Sequence, residues 1–112
     1  MPAPEVGRPL PHGEEAYVVD TKLDYVLSDK GHGSEWRRVF RAEPSQSSAL
    51  WAALAELATS ALVTDSRPTA FGTRCETRAE LTFNGRTATV VLGWWYDQPG
   101  DRPRLVTAYP TP

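Results

Sequence analysis

Hydrophobic and polar positions alternate most regularly between Arg78 and Pro110. In RAELTF, Ala79, Leu81 and Phe83 fall on one face and Arg78, Glu80 and Thr82 on the other, the period-two pattern of a half-buried strand. Asn84-Gly85 follows, a pair suited to a two-residue hairpin because both turn positions need positive φ. RTATVVLGWWY then returns, DQPGDRP turns the chain again, and RLVTAYP closes a three-strand meander. The pattern predicts Leu81 opposite Ala88 and Ala79 opposite Val90; these, with Phe83, Leu92 and Trp94, form the core face. Thr87, Thr89, Val91 and Trp95 fall on the other face. In the last strand Val106 and Ala108 suit the core, which places Leu105, Thr107 and Tyr109 on the open side; the opposite register is the alternative. TAFGTRCE is expected as a strand leading into the meander.

Upstream the period changes to that of helices. Thr21 and Asp24 have capping-box spacing, and Leu23, Val26 and Leu27 make an apolar face that ends by Gly31. Ser34 is placed to cap a second helix, SEWRRVF, with Trp36, Val39 and Phe40 inward. A third runs from Ser47 to Val63 with a stripe of Leu50, Leu54, Leu57 and Ala61. Thr64–Pro68 reads as a loop. Helices followed by antiparallel strands define an α+β class, with N-terminal helices packed on one face of a sheet of about four strands. Residues 1–16, rich in proline and glycine, read as a flexible lead-in, which leaves 17–112 as a single domain. Tyr17-Val18-Val19 reads as a short edge strand or an anchor.

Composition narrows the classes. A chain of 112 residues suffices for one modest core. No apolar run is long enough to span a membrane and no signal-peptide pattern opens the chain, so no membrane association and a cytoplasmic location are expected. Cys75 is the single cysteine, which excludes an internal disulfide and suits a small buried hydrophobe. Two scattered histidines and one cysteine give no zinc motif; neither a metal nor another cofactor is expected. The formal charge of −2 argues against a strongly basic nucleic-acid binder. The cations are almost all arginine, which suits planar contacts to carboxylate or phosphate.

Candidate chemistry gathers at three places. His32 sits in a glycine-flanked loop, where an imidazole can act as acid or base near neutrality; His12 lies in the lead-in and is set aside. Thr107 and Tyr109 share the open face with Trp95, so hydroxyls stand beside an aromatic able to stack a base. Arg74 and Arg104, at strand positions, are better placed to hold an anion than Arg86, which follows the turn, and Arg102, in a loop; those two read as plain surface charges.

KLDYVLSDKG, WRRVF, LWAAL, NGRTATV with GWWY, and DRPRLVTAYP together resemble a small uncharacterised bacterial domain family, over roughly residues 21–110. Its members occur alone and attached to toxin- or phage-related proteins. Where some relatives carry Lys-Ala-Arg before the phenylalanine, this chain has Trp36-Arg37-Arg38. The order of elements and the closing Thr-x-Tyr-Pro are also similar to the barnase-like and colicin-type ribonuclease toxins. That similarity implies metal-free cleavage of RNA, with His32 as acid or base, Thr107 and Tyr109 on the phosphate, and Lys30 or Arg74 offsetting charge. Trp95 and Arg104 would complete the substrate contacts, and a cognate inhibitor would be the protein partner. The competing reading is a non-catalytic binding module, an immunity or accessory protein.

Overall fold

A computed structural model describes residues 3–28 and 31–111. Helices α1 (Asp20–Val26), α2 (Gly33–Phe40) and α3 (Ser47–Leu57) precede strands β1 (Leu62–Pro68), β2 (Thr73–Phe83), β3 (Arg86–Tyr96) and β4 (Arg104–Pro110). The strands form one antiparallel sheet in the order β1-β2-β3-β4, so the architecture is α+β as the periodicity predicts.

The hairpin between β2 and β3 forms at the expected residues. Asn84 and Gly85 have φ of 53° and 74°, and Leu81 pairs with Ala88 and Ala79 with Val90. Asn84 has a second role, because its side-chain amide donates to the carbonyls of Phe40 at 3.0 Å and Arg41 at 3.3 Å. These are carbonyls at the end of α2, which the helix itself leaves without partners. The turn is thereby docked onto the helical layer. A Cβ at Gly85 would meet nothing within 4 Å, so only its positive φ restricts it. Gly85→Val should therefore cost more than about 1 kcal/mol through backbone strain alone. An unchanged urea midpoint would contradict this.

The even positions of β3 face the helices, while Val91 and Gly93 are buried on the opposite face. Val90, Leu92 and Trp94 pack with Leu81 and Cys75 against Trp36 and Phe40 of α2 and Leu50 and Leu54 of α3. Polar groups that enter this core are paired: the Trp94 indole donates to Thr77 Oγ1 at 3.1 Å, and the Trp36 indole to the Ala108 carbonyl at 3.1 Å. The opposite face of the sheet carries Arg74, Glu76 and Arg78 from β2, Val91, Gly93 and Trp95 from β3, and Arg104, Thr107 and Tyr109 from β4.

Four local expectations are corrected. α3 stops at Leu57, and residues 62–68, read as a helix end and a loop, form strand β1. Leu62-Val63 is a short apolar run that either period can accommodate, and pairing with Arg78 and Thr77 decides it. Thr69–Gly72 is consequently a turn and not a strand; the Thr69 N–H donates to the Gly72 carbonyl at 2.7 Å, and Phe71 at the tip is 86% exposed. α1 begins one residue before Thr21 and its N-cap is Val19, so no capping box forms there; α2 likewise begins at Gly33, with His32 and not Ser34 at its N-cap. Finally, Leu105 is in the core and not on the open side. Gly93 pairs with Thr107 but Trp94 with Leu105, so Val106 is an extra residue in β4. This bulge reverses the alternation for everything before it. Thr107 and Tyr109 keep their expected face.

Residues 3–16 run along the domain. Gly7 N–H donates to the Val63 carbonyl and Val63 N–H to the Arg8 carbonyl, both at 2.8 Å, beside β1. Leu10 is a core residue, and the Tyr96 hydroxyl donates to the Pro11 carbonyl at 2.6 Å. Proline has no N–H to satisfy, so a proline-rich segment can lie on a surface with few hydrogen bonds. Tyr17 exchanges backbone bonds with Pro103 and Leu105 at the start of β4, the anchoring role expected of it.

Burial pushes the Cys75 thiol up from 9.0 to about 12, and the buried Tyr96 phenol is shifted the same way. Between those two values the folded chain holds the Cys75 proton and the unfolded chain does not, so stability falls as pH rises. The melting temperature should decline above pH 9, and less steeply in Cys75→Ala. Identical alkaline slopes for the two proteins would rule this out.

Candidate functional site

The bulged strand β4 and the N-terminus of α2 meet at one edge of the molecule. Trp36, one helical turn into α2, is bonded to the Ala108 carbonyl and fixes the helix against β4. His32, at the N-cap, is thereby set beside Tyr109, with ring centroids 5.0 Å apart and planes at 39°. Gly33 permits this close entry, since a Cβ there would lie 2.5 Å from the carbonyl oxygens of Leu27 and Ser28.

His32 Nδ1 lies 3.5 Å from Glu35 Oε2 on the first turn of the same helix. The Glu35 carboxyl is held below its ordinary range, first by a hydrogen bond to its own backbone amide, and further by His32 and Ser34. In the Nδ1–H tautomer the imidazole donates to this carboxylate, and Nε2 then carries the lone pair. His32 and Thr107 line a cleft of about 20 Å³, room for about one water. Lys22 of α1 lines it too, and its ammonium stands 4.9 Å from the Tyr25 ring centroid. Sequence reasoning passed over Lys22. Its signal was rarity, a lysine kept on a helix flank in a chain whose cations are almost all arginine.

The structure therefore brings His32, Thr107 and Tyr109 together. Arg74 joins them across β3: a Cβ on Gly93 would lie 2.5 Å from Arg74 Nη2 and 2.6 Å from Thr107 Cγ2, so both side chains converge over the bare glycine. Trp95 stands on the next rung, paired with Arg74 on one side and Arg104 on the other. Lys30 lies outside the described residues.

Other features offer less chemistry. A larger cleft, of about 380 Å³, runs along the N-terminal segment; its charges, Glu5 and Arg8, are paired with each other at 3.4 Å. Among the described residues, His12, Glu14 and Glu15 bring potential metal-ligand atoms within 4.8 Å of one another. That group lies on the N-terminal turn, its two glutamates exposed.

An antiparallel sheet covered by helices on one face, with polar and aromatic side chains on the other, defines the class of domain. Residues 9–112 match the family model described as a domain of unknown function, DUF6883, and the chain belongs to that family. No curated protein and no solved structure matches the chain. Among the described residues no helix is long and apolar enough to cross a membrane.

Proposed function

We propose that this domain is a ribonuclease-like, toxin-type module that cleaves RNA by acid–base chemistry at the α2–β4 edge. The observation that carries the reading is the convergence of His32 with Tyr109 and, in one cleft, with Thr107 and Lys22. Cleavage through a 2′,3′-cyclic phosphate needs a base for the 2′-hydroxyl, an acid for the leaving oxygen, and positive charge on the phosphate. His32 Nε2 takes the 2′-hydroxyl proton as the O2′–P bond forms. The P–O5′ bond breaks, and the departing oxygen takes its proton from the Tyr109 hydroxyl. Lys22 and Arg74 offset the charge that builds on the phosphate oxygens, and Thr107 donates to one of them. These residues supply each role, so the reaction as written needs no metal.

The test is incubation of the pure protein with total RNA, with and without chelator, followed by analysis of the new ends. Cyclic phosphate termini formed equally in both conditions are expected. Intact RNA would favour the second reading, a non-catalytic immunity or accessory module. That reading draws support from the near balance of charge, −2 over the whole chain.

A further inference from the structure

We infer that the open face of the sheet binds nucleic acid as a single strand, along a track from Arg74 over Gly93 to Trp95 and the Phe71 tip. This rests on the cleavage reading only for the choice of RNA as the natural ligand. Three observations carry it.

The first is a built seat for a phosphate. The Arg74 guanidinium occupies the space that any side chain at position 93 would fill, and its Nε is buried with no hydrogen-bond partner among the described residues. A buried guanidinium N–H without a partner is costly, and an anion oxygen would satisfy it. The second is a stacking platform. Trp95 packs against Gly72, where a Cβ would lie 2.6 Å from the indole Cζ2. Phe71, the next residue, stands 86% exposed at the turn. Two aromatics at one end of a sheet face suit unstacked bases, which a duplex does not present. The third is the placement of charge. Arg67 is tied to Asp65 at 2.8 Å, while Glu76, opposite Gly93, and Asp97, which accepts from the Trp95 indole at 2.9 Å, set carboxylates beside the track and limit the phosphates it can hold. Arg78 pairs with Val91, away from the aromatic end, so Arg74 and Arg104, flanking Trp95, are the cations placed to contact phosphates beside the platform. Few phosphate contacts beside aromatic platforms describe a short single strand and not a duplex.

The probe is a short fluorescein-labelled 2′-O-methyl RNA, which has no free 2′-hydroxyl and so cannot be cleaved by this chemistry. Fluorescence anisotropy with the full chain should show the single strand bound at least about tenfold more tightly than its duplex. Two phosphate contacts should give a slope of log K against log salt near about −1.4. Phe71→Ala should weaken binding about tenfold without changing that slope, since it removes stacking and no charge. Arg74→Gln should weaken binding and make the slope shallower. Circular dichroism would establish that both variants fold. Equal or tighter binding of the duplex, no binding of either probe, or an unchanged affinity in Phe71→Ala would overturn the proposal. Binding of the probe by a protein that leaves ordinary RNA intact would sink the cleavage reading and leave this one standing. Cleavage of RNA with affinity indifferent to Phe71 and Arg74 would do the reverse.

Discussion

Trp36→Ala is expected to destabilise the domain by about 3–5 kcal/mol, a large part of what holds a domain of this size together. Trp36 is fully buried and stacks on Phe40 with ring centroids 5.5 Å apart. Its truncation opens a cavity between α2 and the sheet. It also leaves the Ala108 carbonyl, now 3.1 Å from the indole N–H, without a partner. The two costs can be separated. Trp36→Phe keeps most of the apolar volume and loses the N–H, so it should cost about 1–3 kcal/mol. Urea unfolding of both variants measures each part, and an alanine variant within about 1 kcal/mol of the parent would show that α2 is not held this way.

His32→Ala should lower RNA cleavage by about 10²-fold or more while leaving the fold intact. The side chain is 43% exposed and makes no cap hydrogen bond, so its loss should change stability by no more than about 0.5 kcal/mol. Chelator should make no difference to either protein. Tyr109→Phe keeps the ring beside His32 and removes the hydroxyl, so a comparable loss there would fix the phenol as the acid. Full cleavage by His32→Ala would place any chemistry elsewhere and end the case for this edge.

How much of this was legible in the sequence depended on whether local pattern or distant pairing decided each feature. The β2–β3 hairpin was readable to the residue because positive φ at Asn84 and Gly85 and strict alternation act within a few positions. The stripe of Leu50 and Leu54 was readable for the same reason. β1 was not, because Leu62-Val63 fits either period until Arg78 and Thr77 arrive to pair with it. Leu105 was misplaced because nothing local marks Val106 as an extra residue; only the register against Gly93 and Trp94 reveals it. In the site, Thr107 and Tyr109 followed from alternation, since they lie beyond the bulge. Lys22 and Gly93 did not. Lys22 acquires meaning only through the packing of α1 on β4, and Gly93 only through an arginine on the neighbouring strand.

The two outer strands also limit how this domain can meet a partner. On β1, Val63 exchanges backbone hydrogen bonds with Gly7 and Arg8. On β4, Tyr17 pairs with Pro103 and Leu105, Trp36 takes the Ala108 carbonyl, and Pro110 has no N–H to give. Recognition by strand addition requires a run of free amides and carbonyls along an edge. At these positions the chain has already spent them on its own N-terminal segment and on a tryptophan. At those positions a partner strand could extend the sheet only by displacing the N-terminal segment from Val63, Tyr17 from Leu105 or the Trp36 indole from Ala108.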